Sequence, residues 1–87
     1  MSGFKIVWRR TVLDDLADAW TAAANRTAIT SAVAAAERKL RANPAGSAGG
    51  EVEGLYFLVE PPLRIGFTID SDSGVVTVVG LGISRMP

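Results

Sequence analysis

Leu63-Arg64-Ile65-Gly66-Phe67-Thr68-Ile69-Asp70 decides the fold, because large apolar residues at 63, 65, 67 and 69 alternate with Arg64, Gly66, Thr68 and Asp70. A period of two puts the apolar set on one face of a β-strand. Immediately upstream, Leu55, Phe57 and Val59 alternate with Tyr56 and Leu58, and the two runs meet at Pro61-Pro62. These are two strands joined at a proline corner. Downstream, Ser71-Asp72-Ser73-Gly74 supplies turn residues, and Val75 to Leu81 returns as a β-branched run,. The C-terminal half is therefore predicted to be a three-stranded antiparallel meander.

The N-terminal half has a different period. Phe4, Ile6 and Trp8 alternate with Lys5 and Val7 and predict a short first strand, which Arg9-Arg10 ends. Thr11 followed by Asp14 is a capping-box pattern, and Asp14, Asp15 and Asp18 place negative charge early in a helix, so a helix is predicted from about Val12,. Leu13, Leu16, Ala17, Trp20 and Ala24 form its apolar stripe, and Ile29, Val33, Ala36 and Leu40 form that of a second helix, which begins after Asn25-Arg26-Thr27 and stops at Asn43-Pro44,. Pro44 to Gly50 reads as a loop of small residues,. The order is β-α-α-β-β-β in a single α+β domain spanning residues 1–87. It predicts a four-stranded, antiparallel-rich sheet with a two-helix hairpin packed on one face. The first strand must join this distant sheet, since a lone strand is not stable. The expected core is Ile6, Trp8, Leu13, Leu16, Trp20, Ile29, Val33, Leu40, Leu55, Phe57, Ile65, Phe67, Val76 and Val78.

Composition narrows the chemistry. The chain has no cysteine and no histidine, which removes thiolate nucleophiles, the usual zinc ligands and the commonest general base. No cofactor or metal is called for, and GSAGG at 46–50 lacks the lysine and Ser/Thr of a phosphate loop,. The start has no signal-peptide pattern and no stretch approaches membrane-spanning length, so a soluble cytoplasmic protein is expected. Nine Lys/Arg balance nine Asp/Glu, with a sequence pI of about 6.1. No global field draws the protein to nucleic acid, although a local basic patch is still open.

Three stretches resemble the RelE/ParE toxin superfamily, the toxic halves of bacterial type II toxin–antitoxin pairs. Trp8 to Trp20 is similar to its opening strand and the helix with A-x-x-D-L-x-x-I/W. Ala35 to Pro44 is similar to the second helix and its exit, and Leu63 to Asp70 to the strand Y-R-V-x-Y-x-I-D. Of the ending H-R-x-x-x-Y found in many members, Leu81 to Pro87 keeps only Arg85. The resemblance implies a toxin that is held by a cognate antitoxin, whose extended or helical C-terminal segment wraps over it.

Two poisons are known in the family. One is a metal-independent, ribosome-dependent mRNA endoribonuclease. For it, the resemblance makes Arg64 the main phosphate contact and Arg85 a second one, with Lys39 or Arg41 bordering the same groove. A guanidinium can grip a scissile phosphate bidentately and stabilise its transition-state charge. The other is a ParE-like toxin that inhibits DNA gyrase by contact alone. A third reading is a non-catalytic member that keeps the antitoxin-binding surface, and a homo-oligomer is open in each case. Against these roles, Arg64 also fits a solvent-facing strand arginine paired with a carboxylate, and Lys39 and Arg41 fit cations that complement the C-terminal end of a helix dipole.

Overall fold

The computed structural model describes residues 3–83. Its elements are β1 Lys5–Trp8, α1 Arg10–Ala22, α2 Arg26–Ala42, α3 Pro44–Ser47, β2 Gly50–Val52, β3 Leu55–Glu60, β4 Leu63–Asp70 and β5 Val75–Ile83. They form an α+β domain with one mixed sheet in the order β1-β5-β4-β3-β2. The predicted meander is present as β3, β4 and β5, all antiparallel. The first strand does join it, running parallel to β5 with Ile6 opposite Val76 and Trp8 opposite Val78.

The sheet has five strands where four are predicted. The addition is β2, which pairs with β3 through a tight turn at Glu53 and Gly54, both with positive φ (49° and 86°). Such hairpins are usually marked by Asn-Gly or Asp-Gly, and Glu-Gly hides the signal. The carboxylate of Glu51 supports the turn by accepting from the Gly54 backbone N–H at 2.6 Å. Likewise Pro44–Ser47 is a single helical turn where a loop is predicted. Asn43 ends α2 and caps this turn by accepting from the Gly46 N–H at 3.0 Å, and a Cβ on residue 46 would lie 2.2 Å from the Asn43 side chain.

Helix α1 starts at Arg10, two residues before the predicted Val12, and Thr11 lies inside it with no capping box. The sheet sets this start. Arg9 donates its backbone N–H to the Val78 carbonyl, extending the β1–β5 ladder, and its own carbonyl already accepts from Leu13. The chain therefore passes directly from ladder to helix. Asn25 does cap α2, accepting from Ala28 at 3.0 Å.

Both helices pack on one face of the sheet, over a core of Val12, Ala36, Leu40, Leu58, Ile65, Phe67, Val76 and Val78. A smaller cluster of Ile29, Ala32 and Leu63 lies beside it. Ile29, Leu40, Ile65, Phe67, Val76 and Val78 are buried as predicted, and Ile6, Trp8, Leu16, Val33 and Leu55 are partly buried. Leu13, Trp20 and Phe57 are 47%, 44% and 42% exposed and do not belong to the core. On β3 the inward set is Tyr56 and Leu58, with Tyr56 stacked on Phe67 at a centroid distance of 5.6 Å. Because β3 is apolar at both parities, alternation alone does not reveal which face is buried. On α1 the residue that reaches the sheet is Val12, and Ala24 lies beyond the helix in the connection to α2. In α2 the small Ala32 and Ala36 face inward, allowing close approach to the sheet, while Val33 is only half-buried.

Ion pairs and polar contacts tie α2 to the strands below it. Trp8 Nε1 donates to Glu37 at 2.9 Å, Arg41 lies 3.7 Å from the same carboxylate, and Lys39 pairs with Glu60 at 2.5 Å. No helix among the described residues is long and apolar enough to cross a membrane.

Candidate functional site

The apolar residues that leave the core assemble two open surfaces. The first is a groove of about 520 Å³ along the helical hairpin, lined by Leu13, Leu16, Ala17 and Trp20 from α1 and Ile29, Val33 and Ala34 from α2, with Glu37 at one end. The α1 stripe read from the sequence is thus genuine, but most of it faces outward. Val12, Ala19 and Ala23 turn toward the sheet and the second helix, Leu16 borders both the core and the groove, and Leu13, Ala17 and Trp20 line the groove.

Trp20 is held at the lip of this groove from two directions. Its Nε1–H donates to the Thr30 hydroxyl at 3.3 Å, and the Arg26 guanidinium lies 4.7 Å from its ring centroid. Arg26 also donates to the Trp20 and Thr21 carbonyls at 3.0 and 3.1 Å, which caps the end of α1,. An amphipathic partner helix would find an apolar trench here with a fixed aromatic edge.

The second surface is the face of the sheet away from the helices. Arg64 points out from it, between Val59 on β3 and Gly82 on β5. A groove of about 410 Å³ runs beside it, bordered by Leu55, Phe57, Val59, Val79 and the glycines 66, 80 and 82. Among the described residues Arg64 has neither an ion pair nor a side-chain hydrogen bond, so the paired-carboxylate alternative is not what the structure has. Its neighbours on this face are apolar or glycine.

The structure does not bring the predicted site residues together. Lys39 projects from α2 on the helix-covered side and is paired with Glu60, whereas Arg64 is on the opposite face of the sheet. Arg41, beside Glu37 on α2, is likewise remote from Arg64. The expected common groove of Arg64 with Lys39 or Arg41 is therefore absent. Arg85 lies outside the described residues. Reading the sequence for charge missed the helical groove. Its signal was an apolar arc on α1, running from Val12 through Leu13, Leu16, Ala17 and Trp20, that is wider than one buried stripe requires,.

No family model matches the sequence, and no curated protein matches it. Solved structures do match. The fold is similar to that in the toxin–antitoxin complex RelBE2 of Mycobacterium tuberculosis, with 16% identity and a TM-score of 0.76 over 95% of this chain and 99% of that one. It is also similar to the archaeal RelE–RelB complex of Pyrococcus horikoshii OT3, at 10% identity and a TM-score of 0.71 over 98% and 99% of the two chains. The chromosomal ParDE system of P. aeruginosa matches at 16% identity and a TM-score of 0.67, over 94% and 97%. The chain therefore has the fold of the RelE and ParE toxins.

Proposed function

We infer that this protein is the toxin of a type II toxin–antitoxin module, that it works in the cytoplasm, and that a cognate antitoxin neutralises it. The observation that carries this is the open groove between α1 and α2 on a fold shared almost end to end with chains from toxin–antitoxin complexes. The groove's apolar length and its lip at Trp20 suit the amphipathic C-terminal segment of an antitoxin, which would order on binding.

The better-supported mode of toxicity is protein contact, with DNA gyrase as the target. RNA binding draws most of its affinity from cations set against phosphates. Here the outer sheet face offers Arg64 amid Val59, Phe57 and three glycines, and Lys39 is engaged with Glu60 on the other side. The second reading, an mRNA endoribonuclease on the ribosome, is favoured by the outward guanidinium of Arg64, which has no ion pair among the described residues. In that reading Arg64 is the phosphate-binding catalytic residue, Arg85 assists, and Lys39 would have to leave Glu60.

Induced expression without antitoxin is the test. Growth arrest relieved by co-expression of the protein from the adjacent reading frame is expected. Normal growth at verified soluble expression would reject the toxin assignment in favour of a non-toxic, antitoxin-binding member of the fold.

A further inference from the structure

On the outer face of the sheet β4 carries opposite charges at its two ends, and Lys5 on β1 adds a cation two strands from Asp70. Along β4 the outward residues are Arg64, Gly66, Thr68 and Asp70, with the cation at one end and the anion at the other. They lie about 20 Å apart at ~3.3 Å per residue. Between them the outward residues are Gly66 and Thr68, beside the groove that Phe57, Val59 and Gly80 border. Phe57 and Val59 stand exposed on β3, and above Gly80 and Gly82 a Cβ would meet nothing within 4 Å.

From this we propose that the outer face is a homodimer interface, in which two copies stack sheet on sheet about a two-fold axis perpendicular to the strands near Phe67. The axis direction follows from the charges. A two-fold along β4 would set Arg64 against Arg64 and Asp70 against Asp70. A two-fold across β4 sets each Arg64 against the Asp70 of the second copy, and an isologous contact makes that pair twice. The same operation brings the two Phe57 side chains side by side near the axis, with the glycines leaving room for the sheets to approach. The inference leaves the helical groove free, since that groove is on the opposite side of the molecule, but the dimer would cover Arg64 and so exclude the ribonuclease reading for the dimeric state.

The size of the face fixes the strength of the contact. The strands β1, β5, β4 and β3 at about 4.8 Å spacing and ~20 Å length give a footprint of roughly 400 Å² per copy. Two such footprints come to about 800 Å², below the range of stable specific interfaces, so the dimer is weak and concentration-dependent.

Sedimentation velocity of the full chain, without antitoxin, over a low-micromolar to millimolar series tests this. The wild type should pass from monomer to dimer. Arg64→Asp and Asp70→Arg should each lower the association constant about tenfold, since each replaces two attractive contacts by two repulsive ones. The double reversal Arg64→Asp/Asp70→Arg should restore it. If either reversal disturbs the fold by circular dichroism, Thr68→Lys, which sets like charges close to the axis, should give a monomer instead. A wild type that stays monomeric throughout, a dimer indifferent to these substitutions, or a double reversal that fails to restore a dimer weakened by the singles would each overturn the proposal.

Discussion

The Arg26 guanidinium covers the Trp20 ring at 4.7 Å and, in the same pose, donates to the carbonyls of Trp20 and Thr21. One side chain thus closes the end of α1, bridges it to the start of α2 and fixes the aromatic lip of the groove. Arg26→Ala should cost about 1–2 kcal/mol, from a lost helix cap and a cation–π contact. Arg26→Lys should recover only part of this, because an ammonium lacks the planar fork that reaches two carbonyls. Urea unfolding of the three proteins measures the difference.

Trp20 itself should separate binding from stability. It is 44% exposed, so Trp20→Ala removes little buried area and should destabilise the free protein by less than about 1.5 kcal/mol,. In a groove covered by an antitoxin segment the same ring becomes a buried aromatic anchor, and its loss should cost at least about 2 kcal/mol of affinity. Titration calorimetry with the cognate antitoxin checks this, and an affinity unchanged by Trp20→Ala would move the antitoxin off the groove.

Phe67 and Phe57 test the parity of the sheet. Phe67 is fully buried and stacked on Tyr56, whereas Phe57 is exposed on the other face. Phe67→Ala should cost about 3–5 kcal/mol, and Phe57→Ala well under half of that, in equilibrium denaturation.

That pair also shows how far the sequence was legible. In β4 one parity is polar or glycine and the other is large and apolar, so the buried set of Leu63, Ile65 and Phe67 could be read directly. In β3 both parities are apolar because both faces meet something nonpolar: one the core, the other the open surface beside the glycines. Leu13 and Trp20 were misplaced for the same reason. Periodicity records which residues are apolar, and on a protein with unfilled apolar grooves that set exceeds the core. The short β2 was missed because three exposed residues bury too little to leave a pattern. The separation of Lys39 from Arg64 depends on which face of the sheet α2 covers, and no local motif records that.

Asp70 should titrate abnormally. The Ser73 hydroxyl and backbone N–H, the latter at 3.3 Å, hold its carboxyl below its ordinary value of 3.8 by favouring the charged form,. A lowered folded-state value means that the contribution to stability is complete above the unfolded value and is lost as the pH falls through the folded one. The support that Asp70 gives the β4–β5 turn should therefore be lost only at a pH below that at which an ordinary aspartate takes up its proton,. NMR titration of its side-chain carboxyl carbon should place Asp70 below the ordinary value, and Ser73→Ala should raise it toward that value.

Arg64 distinguishes the two modes of toxicity. If it stabilises a transferring phosphate, loss of its guanidinium should cost about 3–4 kcal/mol of transition-state stabilisation, similar to removal of one oxyanion-hole donor. Arg64→Ala would then abolish mRNA cleavage on translating ribosomes. The fold and the antitoxin complex should survive, because the side chain is exposed, makes no polar contact among the described residues and is on the face opposite the helical groove,. If toxicity is by contact with gyrase, wild-type expression should lower plasmid supercoiling while leaving mRNA without ribosome-positioned cuts. The apolar neighbours of Arg64 and the engagement of Lys39 with Glu60 favour this second outcome. Primer extension on cellular mRNA beside a supercoiling assay, for wild type and Arg64→Ala, provides the comparison. Ribosome-positioned cuts that disappear in Arg64→Ala would instead make this arginine a catalytic residue and the protein a ribonuclease.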